Sequence, residues 1–114
     1  MNPYRAEYEV VEPARADLDA APGTLLLEFG ASWCGHCQAA QPAIRELLDG
    51  RADTIHVKVA DGRGQPLGRA FAVKLWPTLV LLRAGKELAR VVRPVDAADL
   101  EPLQRALVDD GAAA

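Results

Sequence analysis

Cys34 and Cys37 are the only cysteines in the chain, and they lie with two residues between them in Trp33-Cys34-Gly35-His36-Cys37. A cysteine that opens a helix directly after a buried strand aims its sulfur at unpaired backbone N–H groups and at the positive end of the helix dipole. The thiolate is stabilised there. Because the thiolate is the nucleophile, this raises the reactive fraction at neutral pH and makes the sulfur a better leaving group. Cys34 is therefore read as the attacking residue. Cys37, one turn later and less exposed, can reach back to break a mixed disulfide and is read as the resolving residue. The chemistry expected of the pair is thiol–disulfide exchange with other proteins.

Other uses of the two sulfurs fit less well. A structural zinc site needs about four ligands, and beyond the cysteines only His36 and His56 are available, with His36 badly placed between the sulfurs. Attachment of a c-type haem needs histidine immediately after the second cysteine, where Gln38 stands. An inert buried pair is the plain alternative, set against a helix-opening position that exposes the first sulfur. No metal and no cofactor is expected.

The elements that must position the pair follow from the apolar pattern. Thr24 to Phe29 and Thr78 to Leu82 are nearly continuous apolar runs, as in central strands covered on both faces. Thr54 to Val59 alternates, with Ile55, Val57 and Val59 on one face and Thr54, His56 and Lys58 on the other, and reads as a third strand. Ala40, Ile44, Leu47 and Leu48 recur at helical spacing before Gly50, which predicts a helix from about Cys34 to Asp49, kinked at Pro42. Leu67 to Val73 is expected as a short helix. Ala84-Gly85-Lys86 predicts a hairpin into Glu87–Val92. Asp96 caps a closing helix whose stripe is Leu100, Leu103, Leu107 and Val108. With an early strand near Glu7–Val11 and a helix near Ala14–Ala20, the order is βαβαβαββα, an α/β fold with a mixed sheet and helices on both faces. Gly111 to Ala114 reads as a frayed tail.

The 114 residues suit one domain spanning 1–114, half apolar and a quarter charged, as in an ordinary globular protein. A formal charge of −3 with scattered basic residues gives no field for gathering phosphates, so nucleic acid is not an expected partner. No apolar run approaches the ~18 residues that cross a bilayer. The N-terminus lacks the basic start and apolar stretch of a secretory signal, and two cysteines make no disulfide framework, so a cytoplasmic monomer is expected.

The run Glu28-Phe29-Gly30-Ala31-Ser32-Trp33-Cys34-Gly35-His36-Cys37, with Pro42 eight residues past Cys34 and Trp76-Pro77-Thr78 further on, resembles thioredoxin-family proteins. The resemblance covers about Thr24 to Val108; residues 1–23 match only loosely. It implies the thioredoxin fold and a cis Trp76–Pro77 bond that sets Pro77 against the two sulfurs. Trp33, Trp76, Pro77 and Thr78 would then line the substrate groove, with the Trp76 backbone pairing an extended substrate. Glu28 lies in an otherwise apolar strand, where an unpartnered carboxylate costs several kcal/mol. It matches the family's buried acid, usually aspartate, and is expected to move the proton of Cys37; its bland alternative is turning to solvent. Lys58 matches the lysine beside that acid. Gly35 and His36 tune the cysteines, and His36 agrees with the more oxidising disulfide-isomerase members, because an imidazole beside Cys34 can stabilise the thiolate and raise the potential. Arg93 replaces a groove-lining glycine and is read as a solvated charge. His56 is read as structural, with no chemical partner.

The resemblance implies protein disulfides as substrates and an upstream reductase or glutathione as electron donor, with the direction of electron flow open. The reading of a different class is a binding or chaperone-like module that uses the groove around Trp33, Trp76 and Pro77 without turnover.

Overall fold

The computed structural model describes residues 2–113, with side chains through residue 109. The order is α1 (Arg15–Ala20), β1 (Thr24–Gly30), α2 (Gly35–Leu48), β2 (Thr54–Ala60), α3 (Leu67–Ala70), β3 (Thr78–Arg83), β4 (Lys86–Val92), a 3-10 turn (Ala97–Leu100) and α4 (Glu101–Ala113). The sheet runs β2-β1-β3-β4. β1 is parallel to β2 and antiparallel to β3, and β3 is antiparallel to β4, so the sheet is mixed, as expected.

All seven residues of β1 are buried, and alternate side chains feed two cores. On one face Leu26, Leu79, Leu81 and Val91 meet Ala40, Ile44 and Leu48 of α2 together with Leu100, Leu103 and Leu107. On the other, Leu25, Leu27, Phe29, Val80 and Leu82 meet Leu18 of α1 and Leu67 and Phe71 around α3. Burial of each large apolar side chain contributes about 2 kcal/mol, which fixes the register of the central strand and hence where its C-terminal end delivers the chain. The hairpin turn has positive φ at both Ala84 and Gly85 (50° and 82°), the backbone of a type I′ turn. No helix among the described residues is long and apolar enough to cross a membrane.

Several expectations are corrected. No strand forms near Glu7–Val11. Residues 4–9 run instead as an irregular strap along β2, bent at Glu7, with one strand-like bond, from the Glu9 N–H to the Lys58 carbonyl (2.8 Å). The reason is that neighbouring strap backbone groups are held by side chains: the Arg5 N–H by the His56 ring and the Ala6 carbonyl by the Lys58 ammonium. Beneath the strap the polar face of β2 is the more deeply buried one, with Thr54, His56 and Lys58 at 2–3% exposure and Ile55 at 54%. The helix expected over Leu67–Val73 stops at Ala70. Val108 leaves the apolar stripe and faces solvent. The closing helix is assigned through Gly111 and Ala112 to Ala113; Ala114 lies outside the described residues.

Candidate active site

β1 ends at Gly30, whose carbonyl accepts the Asp61 N–H (2.8 Å), and the chain turns through Ala31, whose carbonyl accepts the Cys34 N–H (3.1 Å). Cys34 is the N-cap of α2. Its extended backbone (φ −82°, ψ 118°) swings the sulfur over the helix start, where Sγ accepts the Cys37 N–H at 3.2 Å. The sulfur thus takes the part that a serine or aspartate oxygen plays in an ordinary cap. Both thiols are free. Both are buried, Cys34 at 8% exposure and Cys37 at 1%, so the expected exposure of the first sulfur is corrected; Cys34 is the more accessible of the two. Burial first, and then the hydrogen bond with the Cys34 sulfur, push the Cys37 thiol up to about 12.

Behind Cys37 lies a buried polar ladder. The parallel register sets Glu28 beside Lys58 and Leu26 beside His56, so all three polar side chains point into the layer under α2. Glu28 is fully buried, not turned to solvent. Its Oε1 is 2.8 Å from His56 Nε2, its Oε2 accepts from Gln41 Nε2 at 2.8 Å, and Lys58 Nζ stands 4.0 Å away. His56 Nδ1 accepts the Arg5 N–H (2.9 Å), which assigns the ring proton to Nε2 and makes His56 a donor to Glu28. Gln41 joins the parts: its amide nitrogen also donates to the Cys37 carbonyl (2.7 Å), and its oxygen accepts from Tyr4 Oη (2.7 Å) and Lys58 Nζ (3.0 Å). The expectation that His56 has no chemical partner is therefore corrected.

On the other side of the sulfurs, Trp76–Pro77 is cis, as expected. Pro77 is buried, and Trp76 packs on Ala31, Cys34 and Cys37. The Trp76 Nε1–H donates to Asp61 Oδ2 (2.8 Å), and its ring meets Trp33 edge-on at 5.6 Å. Trp33 is 74% exposed, and Gly35 and His36 also face solvent on the first turn of α2. Thr78 is 1% exposed and gives its hydroxyl to the Leu75 carbonyl (2.6 Å), so it shapes the loop from beneath. Arg93 holds φ at 52°, a left-handed backbone that glycine adopts more readily. Its charge is exposed but not merely solvated: Nε donates to the Trp76 carbonyl at 2.8 Å, while its N–H donates to the Pro77 carbonyl at 2.8 Å.

Residues 11–106 match the family model described as Thioredoxin. The chain belongs to the thioredoxin family. Among its relatives, thioredoxin H2-2 of Oryza sativa subsp. japonica is 34% identical over 68 residues, 60% of this chain and 51% of that protein. The chain thus spans about half the length of this relative. Thioredoxin of Chlamydia pneumoniae is 32% identical over 88 residues, 74% of this chain and 82% of the other. Reduced thioredoxin 2 from Pseudomonas aeruginosa PAO1 superposes with a TM-score of 0.81 at 50% identity, over 94% of this chain and 99% of that one. The thioredoxin motif was legible from Cys34, Cys37 and Trp76-Pro77. Gln41, His56, Tyr4 and Asp61 were missed. Gln41 alone carried a local signal, since it stands four residues after Cys37 and so shares its helix face.

Proposed function

We propose that the protein is a thiol–disulfide oxidoreductase that reduces disulfides in protein substrates. The observation that carries this reading is the Cys34 sulfur seated on the N-terminus of α2, accepting the Cys37 N–H, with a buried carboxylate network behind Cys37. The Cys34 thiolate attacks one sulfur of a substrate disulfide, the S–S bond breaks, and the other substrate sulfur leaves with the electron pair and takes up a proton. The mixed disulfide that results removes the charge and the hydrogen bond of the Cys34 sulfur, two of the causes that hold the Cys37 thiol up. Cys37 then gives its proton to Glu28 and attacks Cys34 Sγ, releasing the second substrate sulfur as a thiolate. Two electrons have passed to the substrate and a Cys34–Cys37 disulfide remains.

Lys58 holds Glu28 electrostatically, and the space beside Gly35 at the helix start is open, since a Cβ there would meet nothing within 4 Å. Trp33 and Trp76 form the surface on which substrate lies, with the buried Pro77 beneath it. A cytoplasmic reductase or glutathione resets the pair. His36, beside Cys34, favours the reduced form and sets the potential above that of a family member with proline there. Replacing Cys34 with serine abolishes reduction of a protein disulfide such as that of insulin, and Cys37→Ser traps the mixed disulfide. Retained turnover in Cys34→Ser would sink the assignment.

A further inference from the structure

The strap carries Tyr8 to the resolving cysteine's side of the site. A Cβ built on Gly30 would lie 2.6 Å from Cys37 Sγ and 3.0 Å from Tyr8 Oη, so the phenol oxygen and the resolving sulfur converge on the bare Cα of that glycine. The strap that brings Tyr8 there is pinned on both sides of it: Tyr4 Oη on Gln41, the Arg5 N–H on His56, the Ala6 carbonyl on Lys58 Nζ (3.0 Å) and the Glu9 N–H on the Lys58 carbonyl. The Lys58 ammonium stands 4.7 Å from the Tyr8 ring centroid and fixes its plane. Tyr8 and Cys37 line the same cleft of about 150 Å³, together with Glu7, Gln41 and Lys58.

We propose that Tyr8 donates a hydrogen bond to the Cys37 sulfur while that sulfur carries negative charge, between loss of its proton and closure of the Cys34–Cys37 disulfide. This rests on the exchange reaction proposed above. In that step the Cys37 proton goes to Glu28, the sulfur attacks Cys34 Sγ, and the substrate sulfur leaves with the bonding pair. At 1% exposure the anionic sulfur has little water to solvate it, and hydrogen bonds to ions are the strong ones. The charged and titratable groups around the pair are Cys34 on α2, Glu28 on β1, Lys58 on β2 and Glu7 on the strap, with Tyr4 and His56 behind Gln41 and Glu28. Burial and then the negative charge of Glu28 and Cys37 push the Tyr8 phenol well above its ordinary range, so it stays an O–H donor at neutral pH.

The test is Tyr8→Phe, which keeps the ring on Lys58 and removes only the hydroxyl. Formation and resolution of the mixed disulfide with insulin are timed separately by rapid quench across pH. Loss of a hydrogen bond to a charged sulfur predicts that the midpoint of the resolution profile moves up by about one unit and, because the freed thiolate is also more nucleophilic, that the ratio of resolution to formation rates at pH 7 falls about threefold. In a Tyr4→Phe background, 3-fluorotyrosine at position 8, a stronger donor, is expected to speed resolution. A parent that turns over while Tyr8→Phe leaves both the ratio and the midpoint unchanged overturns the role of Tyr8 alone. A parent that forms no mixed disulfide overturns the exchange reading and this role with it.

Discussion

Cys37 carries the pH dependence at the scale of single residues. Its thiol rises on folding from an ordinary value near 9 to about 12, chiefly through burial. Between those values the unfolded chain gives up a proton that the native chain keeps. The stability this group contributes is therefore complete below pH 9 and is lost as pH climbs toward 12, by about 1 kcal/mol per unit. Urea unfolding of the reduced protein from pH 8 to 11 should show that loss, and reduced Cys37→Ser, with no thiol there, should lose less. Gln41 makes a second prediction. Gln41→Leu leaves Glu28 Oε2, the Cys37 carbonyl and the Lys58 ammonium each short of a partner in a buried layer, and is expected to cost about 3 kcal/mol in the same assay. The cysteines and Glu28 were legible because reactive or charged types stood in apolar runs. His56 was not, because an alternating strand does not say which of its faces a distant segment will cover.

Among the elements, the strap and the segment after β4 decide how the site is closed. The early strand failed to form because two neighbouring backbone groups of the strap bond side chains of β2, and the charge-rich sequence of residues 5–9 gives no sign of that. At the opposite edge, Arg93 occupies the Trp76 carbonyl that an extended substrate backbone would use. Arg93→Gly suits the φ of 52° and frees that acceptor, so KM for a protein disulfide is expected to fall several-fold with kcat held, as steady-state kinetics would show. An unchanged KM would mean that substrate does not pair there. The hairpin was legible from Gly85 and has a further constraint that the sequence hides. A Cβ at Gly85 would run into the Asp19 carbonyl oxygen, so Gly85→Ala combines left-handed strain with a backbone clash and should cost at least about 2 kcal/mol in urea unfolding.

The molecule as a whole places reactive sulfur where β1, α2 and the Trp76–Pro77 loop meet, with separate apolar cores holding the two faces of the sheet that delivers them. Periodicity exposed that arrangement because continuous apolar strands and amphipathic helices carry it in local sequence. The contacts between residues 4–9 and β2 join positions some fifty apart and leave no periodic trace. Cys34 and Cys37 are expected to form a reversible two-electron couple. Equilibrating the protein in glutathione buffers and following tryptophan fluorescence, with Trp76 packed on both cysteines, tests it directly. The expected result is one reversible transition between about −270 mV, the thioredoxin value, and about −180 mV, the isomerase value, with His36 moving it toward the latter. No reversible transition, or one that persists in Cys34→Ser, would contradict the claim and leave a groove that binds partners without turnover.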